Sequence, residues 1–462
     1  MSSNSSEHDY KRVHFVGVAG SGMAGLAYFA HKSGMQVSGS DLRESSYLQT
    51  LLGEDVELHF EHKEANVADS SLELVVASTA IPATNPEIIA ACERNIPVWH
   101  RAKMLAWLGR NHKMLAVAGT HGKTTTSAML ATALTEMGND PAFLIGGVLN
   151  AYESSAHYSK AGYMVVEADE SDSSFIELDP QVAVITNIEA DHMDHFKSFE
   201  EIEHSFLAFL DKLHPEGIAV VCAESPGLLE LACQSGKPVL SYGTSDEADV
   251  RLDPVSQEVC FKDGGKVPIS LSKSPGLHNL LNATAVMAVL DWLGFDRKES
   301  ARALSTYEGA HRRFDHIGEA NGVLVVDDYA HHPTEIDATL KAARSLGFSS
   351  VHLLFQPHRY TRTQAFLTEF STSFDNATTI TLMPVFSAGE TPIPGIDSNR
   401  MLKAIKKHKP TARLRFIDDR DQLAAAMAAL AEPGSLVLTM GAGDVTYEAP
   451  RILEELRKLQ EQ

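Results

Sequence analysis

Apolar residues along the chain come in short runs, each closed by glycine or by a cluster of acids, and these runs alternate with stretches whose apolar positions recur at helical spacing. A first strand is expected at 13–18, a helix from there to residue 34, and further strands at 35–39 and 74–77; the pattern fades near Trp107. A second set opens with the run into Gly119 and holds strands at 164–167 and 182–186. A long helical stretch follows Phe199, and a weaker strand-like region covers 250–269. In the third set, strands at 323–326, 351–355, 379–383 and 436–440 alternate with helices at 334–345, 400–407 and 421–430. Such alternation predicts doubly wound, mostly parallel α/β sheets. With no low-complexity linker in view, the expected domains are residues 1–107, 108–313 and 314–462, joined by short hinges.

Charge changes the picture in one respect. A net charge of −22 excludes the basic footprint that nucleic acid or an anionic membrane requires. Anionic ligands must then be held by local groups of Arg, Lys and backbone N–H. Cys92, Cys222, Cys233 and Cys260 form no CxxC pair, which fits free thiols in a reducing compartment. The first residues are polar and acidic, and no apolar run approaches the ~18 residues of a membrane span, so the expected location is cytoplasmic, without membrane insertion.

Residues 112–126 read His-Lys-Met-Leu-Ala-Val-Ala-Gly-Thr-His-Gly-Lys-Thr-Thr-Thr. An apolar strand here runs into a tight turn, and Leu130, Leu134 and Met137 mark the helix that follows. Gly119 and Gly122 let backbone N–H groups point inward around phosphates, Lys123 carries a charge to the β and γ phosphates, and Thr124 offers a hydroxyl to Mg²⁺. The usual spacing would put the first glycine at position 117, where Val117 stands, so this is a shortened phosphate turn.

Further clusters close other strands. Glu167-Ala168-Asp169-Glu170-Ser171-Asp172 crowds acids beside that turn, as direct or water-mediated Mg²⁺ ligands or as a solvated acidic loop. Thr186 to His195 adds two histidines among acids, suited to a second Mg²⁺ with one His ligand or to zinc. Gly20-Ser21-Gly22-Met23-Ala24-Gly25 after the first strand, with Asp41 after the second, makes a dinucleotide-type fingerprint. Alone it fits a nicotinamide or flavin enzyme as well as a nucleotide-sugar diphosphate. Asn279, before an Ala-rich helix, suits a purine edge or a helix cap. Arg312 and Arg313 stand at a block boundary as phosphate ligands or as surface arginines. Asp327 to Pro333 and Gln356 to Arg362 end two strands of the third set, where open α/β sheets bind ligands. Arg359 and Arg362, three apart, are expected on one face and able to grip a small carboxylate.

Taken in order, Gly-Thr-His-Gly-Lys-Thr-Thr-Thr, Glu-Ala-Asp-Glu-Ser-Asp, Thr-Asn-Ile-Glu-Ala-Asp-His-Met-Asp, Arg-Arg-Phe, Asp-Asp-Tyr-Ala-His-His-Pro-Thr-Glu and Gln-Pro-His-Arg-Tyr-Thr-Arg-Thr give a sequence that resembles the Mur ligases of peptidoglycan synthesis over nearly its whole length. The resemblance implies a Rossmann-like UDP-binding domain, a central P-loop ATPase domain with a mostly parallel sheet, and a C-terminal Rossmann-like α/β domain. It implies that L-alanine is joined to the lactyl carboxylate of UDP-N-acetylmuramate through an acyl phosphate, with ATP and two Mg²⁺ ions. The protein would act as a monomer or homodimer, with no nucleic acid. By motif position, Gly119, Thr120, His121, Gly122, Lys123, Thr124 and Thr125 would cradle ATP. Asn279 would meet the adenine, and Arg313 and Asp328 would complete the nucleotide site. Lys123, Glu167 and His192 are the implied catalytic groups, and Thr124, Glu167 and His192 the metal ligands. Gly20, Ser21, Gly22, Met23, Ser40, Asp41, Ser78 and Arg101 would hold the UDP-sugar, and His331, Arg359 and Arg362 the amino acid. Two departures stand out. Where sister ligases carry a carbamylated lysine this chain has the stretch Ser205-Phe206-Leu207-Ala208, an absence that the alanine-adding branch often shows, and Lys103 stands where the family usually has Glu. A ligase that recycles an intact tripeptide, the folylpolyglutamate synthetase class and a nucleotide-binding scaffold are the alternatives.

Overall fold

The computed structural model describes residues 9–171, 173–191 and 196–460, apart from the side chains of Ser21 and Ser46. Compact units are formed by Met1–Ser270 with Leu281–Tyr307, and by Leu271–Leu280 with Glu308–Gln462. Among the described residues no helix is long and apolar enough to cross a membrane.

The first unit holds two sheets. One comprises Arg12–Val16 (β1), Gln36–Ser40 (β2), Glu57–His59 (β3), Leu74–Ala77 (β4) and Val98–His100 (β5), all parallel in the order β3-β2-β1-β4-β5. Because β1 sits between β2 and β4, the chain winds away from it in both directions, and a crevice opens at its C-terminal end. The glycine turn enters that crevice from β1 and Ser78 from β4.

The other sheet comprises Lys113–Ala118 (β6), Ala142–Leu149 (β7), Ser154–His157 (β8), Tyr163–Glu167 (β9), Val182–Ile185 (β10), Ile218–Cys222 (β11), Val239–Gly243 (β12), Val250–Asp253 (β13), Glu258–Phe261 (β14) and Lys266–Pro268 (β15). Their order is β15-β14-β13-β12-β11-β10-β6-β9-β7-β8. Strand β6 is flanked by β9 and β10, with Val117 level with Glu167 and Ala118 level with Ile185. That register carries the acids after β9 and the Thr-Asn pair after β10 to the phosphate turn after β6. The edges are antiparallel, β7 with β8 at one end and β13, β14 and β15 at the other.

After the turn comes the helix Lys123–Glu136, in which every residue from Thr124 to Leu134 is buried. The spacing of Leu130, Leu134 and Met137 suggests a one-sided helix; the structure encloses it on all sides, against β7, β9 and the helix Arg297–Leu304. Its threonines and alanines make that enclosure possible, being small enough for close approach.

In the second unit Asp315–Ala320 (β16), Val323–Asp328 (β17), Val351–Phe355 (β18), Thr379–Leu382 (β19), Arg413–Phe416 (β20) and Leu436–Met440 (β21) run in the order β16-β17-β21-β18-β19-β20. Period-two alternation splits them between two cores. Val326, Leu353, Phe355 and Leu438 join Ile336 and Leu340 on one face, while Val325, Leu354 and Val437 join Ile452 and Leu456 on the other. Both faces are covered, as parallel strands require. Asp328 and Phe355 both lie level with Met440 of β21, so the polar segments after β17 and β18 emerge side by side.

Candidate functional site: a phosphate turn and a carboxylate-binding cluster

At the end of β6 the backbone turns through Gly119 at φ +126° and Gly122 at φ +84°, both in conformations that favour glycine. The turn is braced from β10. Thr120 N–H donates to Asn187 O (3.1 Å), His121 N–H to Asn187 Oδ1 (2.9 Å), and Asn187 Nδ2 to His121 O (3.0 Å). Thr186 donates to His121 O as well, and Glu189 N–H donates to Thr120 Oγ1 at 2.9 Å. Asn187 therefore positions the turn, although the sequence suggests only metal binding for its segment. A signal was present: a Thr-Asn pair directly after a wholly apolar strand.

Lys123 Nζ donates to the carbonyls of Gly119 and Thr120 and pairs with Glu170 at 2.9 Å, a carboxylate only 3% exposed. Burial acts to lower the Lys123 ammonium, but Glu170, Asp169 and Glu167 outweigh it and raise it above the ordinary lysine range. The turn thus carries a permanent positive charge. Burial likewise opposes ionisation of Asp169, yet Lys123 and Arg101 hold it below the usual carboxylate range. Arg101 pairs with Asp169 at 3.0 Å and lies beside Gly22, so one guanidinium links the glycine turn of the first sheet to the acidic strand end of the second.

Thr124 Oγ1 donates to Glu167 Oε2 (2.9 Å), and Gly146 N–H donates to the same oxygen (2.8 Å). Thr124 and Glu167 thus converge at the start of the helix, and an all-oxygen pair of this kind is the donor chemistry that suits Mg²⁺. These two side chains suit one such ion. His192, the expected ligand for a second, lies outside the described residues, as do His195 and Asp172.

At the first glycine turn, Gly17 (φ +84°) and Val18 donate to Ser40 O at 2.8 and 3.0 Å. Asp41 accepts from Ala19 N–H at 2.9 Å and from Leu42 N–H at 2.7 Å, fixing the turn that follows β1. Ser78 sits against Gly17, and Gly20 and Gly22 remain accessible from outside. Two expectations need correction. Ser40 is completely buried and its hydroxyl donates to Glu87 (2.6 Å), so it braces the turn through its carbonyl and offers no side chain to a uridine. Met23 is buried in the core and its N–H donates to Gly20 O, which leaves it nothing for a diphosphate. Glu87 is held down to about 2: burial would raise it, but His14 at 3.7 Å and hydrogen bonds from Ser40 and Asn66 dominate. The two family departures also have structural counterparts. Lys103 lies over the Trp99 ring at 4.6 Å, and Phe206 fills the core from the helix Phe199–Asp211.

In the second unit, Arg312 donates to the carbonyls of Gly441 and Gly443 and lies 3.5 Å from Asp327, so it ties its own segment to the loop after β21. Arg313 stands over Tyr329 at 5.1 Å. Asp328 accepts from Phe314 N–H and Ala330 N–H, both at 2.8 Å, and burial pushes its carboxyl up to about 6. Asn279 is the third residue of the helix Leu277–Trp292, and its Nδ2 donates to Pro275 O (2.9 Å). His331, His358 and Arg362 form one cluster, with the rings 5.7 Å apart and Arg362 Nη1 3.4 Å from His358 Nδ1. Arg359 departs from the expected shared helix face. The helix Tyr360–Ala365 starts one residue later, and Arg359 has φ +66° with its N–H bonded to Phe386 O at 2.8 Å.

Burial pushes His331 down to about 3, and His278 and His358 each down to about 4. An unfolded histidine takes up its proton near pH 6.5. These three add to stability fully above that pH and withdraw it as the pH falls towards 4, on the order of 1–2 kcal/mol each by pH 5. Asp328 and Asp327, both raised in the folded state, work in the opposite sense, but they are two carboxylates against five histidines that burial lowers, His316 and His352 included. Thermal unfolding followed from pH 7.5 to 5 should therefore show a falling midpoint in this unit, with a shallower slope in His278→Gln/His331→Gln. An unchanged slope would mean that the histidines accept protons while folded.

Comparison with known proteins agrees with this arrangement. The family profiles described as Mur ligase family, catalytic domain, Mur ligase middle domain, and Mur ligase, glutamate ligase domain match residues 12–113, 117–290 and 312–443. A protein of Pelotomaculum thermopropionicum named UDP-N-acetylmuramate--L-alanine ligase is 41% identical over 461 residues, covering 98% of this chain and 99% of its own. One of the same name from Agrobacterium fabrum is 41% identical, with 97% of each chain covered. Among solved structures, a UDP-N-acetylmuramate-alanine ligase of Thermotoga maritima superposes with TM-score 0.81 at 27% identity, covering 97% of this chain and all of its own. A murein peptide ligase of Psychrobacter arcticus gives 0.70 at 25%, covering 97% of this chain and 99% of its own. With all three profiles matched in order and full-length relatives at this identity, the chain belongs to the Mur ligase family.

Proposed function

We propose that the protein joins L-alanine to the lactyl carboxylate of UDP-N-acetylmuramate at the expense of ATP, as a cytoplasmic step of peptidoglycan precursor synthesis. The observation that carries this reading is the 41% identity, held from end to end, to relatives named for that reaction. In the assignment of roles, residues 1–107 bind the UDP-sugar, 108–313 the ATP and 314–462 the amino acid.

The substrate carboxylate attacks the γ-phosphorus of ATP, and the bond to the bridging oxygen breaks to release ADP. Lys123, already cationic, offsets the charge gathered on the phosphoryl oxygens, and the N–H groups of residues 122–125 at the start of the helix fix their positions. Thr124 and Glu167 would hold Mg²⁺, which supplies further neutralisation of phosphate charge; two ions, the second on His192, are part of the reading. The neutral amine of alanine then attacks the acyl carbon and phosphate departs. Arg359 and Arg362 suit the alanine carboxylate, and His331, neutral at working pH, can accept a hydrogen bond from its amine. Gly20, Gly22 and Arg101 take the diphosphate end, with Asp41 and Ser78 shaping the turn.

Phosphate release from Mg-ATP should require UDP-N-acetylmuramate and L-alanine together, with glycine and serine poorer in the same assay. A tripeptide far superior to alanine would replace this reading with the recycling ligase. Tight NAD(H) binding that no UDP-sugar displaces would restore the redox interpretation of the first glycine turn.

A further inference from the structure

A cavity of about 450 Å³ lies within the first unit, lined by residues that precede β1, β2, β6 and β9. It therefore sits at the N-terminal edges of these parallel strands, the opposite edge from the glycine and phosphate turns. Its walls are aromatic. Phe29 meets Tyr158 edge to face, with ring centres 5.0 Å apart, and Trp107 stands beneath the Arg110 guanidinium at 3.7 Å.

Its charge runs against that of the molecule. Lys11, Arg110 and Lys160 face a single lining carboxylate, Asp9, which pairs with Arg110 at 2.9 Å. Three cations less one anion leave two positive charges in a chain of net charge −22. Two ring nitrogens of the wall, Trp107 Nε1 and His112 Nδ1, are shielded from water and lack a hydrogen-bond partner among the described residues. Because His112 Nε2 lies 3.0 Å from Ser159 O, the proton belongs on Nε2 and Nδ1 is an acceptor. Neither nitrogen opens onto the cavity surface, so an occupant is recognised by the aromatic faces and by the charges of Lys11 and Lys160.

We propose that this cavity is a second ligand site, separate from the nucleotide and UDP-sugar sites, for a small planar aromatic anion. The ring would lie among Phe29, Tyr158 and Trp107, and the acid group against Lys11 and Lys160. Aromatic walls with a few convergent polar groups are the usual make-up of such a site. Because Phe29 belongs to the helix after β1 and Tyr158 to the segment after β8, an occupant ties the first sheet's layer to the second sheet.

The test is calorimetric titration of the full chain with 1-naphthoate and, separately, 1-naphthyl phosphate, in the presence of excess UDP-N-acetylmuramate and a non-hydrolysable ATP analogue. Saturable one-to-one binding is expected, at least tenfold weaker for neutral 1-naphthalenemethanol and for the variant Lys11→Glu/Lys160→Glu, whose ligase activity should be unchanged. A preference for the carboxylate or the phosphate identifies the acid group. Absence of saturable binding for both anions overturns the proposal, and so does undiminished affinity in the charge-reversed variant, which would place the binding elsewhere.

Discussion

Replacing Lys123 by Ala will lower phosphate release by about a thousandfold or more, the scale on which preorganised charge at a transition state operates. The same change will also weaken the fold. Glu170, buried beside Lys123, loses its counter-charge, and stripping one partner from a buried pair costs about 3 kcal/mol when the survivor can take up a proton. Burial already pushes Glu170 upward, so neutralisation is its available response. The double variant Lys123→Met/Glu170→Gln separates the two effects: thermal stability should return towards that of the parent while turnover stays absent. UDP-N-acetylmuramate binding should persist in both, because the glycine turn after β1 is held by Asp41 and Ser40 O. Parental rates in Lys123→Ala would remove this lysine from the phosphate site.

The ends of the buried strands were legible in the sequence because apolar runs closed by glycine or acids have few other readings. Strands β4, β18 and β21 fall where the pattern puts them. The antiparallel margins were harder to see. Strand β7 carries Gly146-Gly147 in its interior, a pair that reads as a turn, and Gly146 is needed there because a Cβ would meet the Glu167 carboxylate at 2.9 Å. Strand β16 opens with Asp315-His316 and includes Gly318 at an irregularity in its pairing, so its composition hides an edge strand.

Within the site, residue types were legible and partnerships were not. Lys123, Thr124 and Glu167 are brought together by the register of β6 with β9, which no local pattern encodes. Arg101 and Asp169 lie 68 residues apart in sequence yet form the link between the first two sheets. Ser40 reads as a polar residue at a strand end, a natural ligand position, but the buried Glu87 beneath it claims its hydroxyl. For Arg359 the misleading signal was spacing alone. A helix face requires both residues inside the helix, and the chain delays helix formation past Pro357-His358, setting Arg359 at a positive φ of +66° just before it.

Gly119→Ala should be nearly as damaging as the loss of Lys123, and for a different reason. At φ +126° an L-residue is strained by about 1–3 kcal/mol before any contact is considered. A Cβ there would also run into the Thr186 hydroxyl and stand 2.9 and 3.0 Å from the backbone O and N of Asn187. Thr186 cannot swing aside freely, since it donates to His121 O, and the Asn187 backbone is fixed in the continuation of β10. The turn must therefore pull away from its brace, and the inward N–H groups lose their aim. Gly122→Ala provides the comparison. Its φ of +84° also carries strain, but the new Cβ would meet mainly Asn282 Oδ1 at 2.9 Å, the tip of a side chain rather than backbone. We expect Gly119→Ala to lose about a hundredfold or more in kcat/KM for ATP, and Gly122→Ala to lose about tenfold or less. Asn187→Ala should fall between them, because it removes two of the bracing hydrogen bonds without moving the backbone. Steady-state kinetics with ATP varied would check the order, and equal losses in the two glycine variants would show that the brace from β10 does not set the geometry of the phosphate turn.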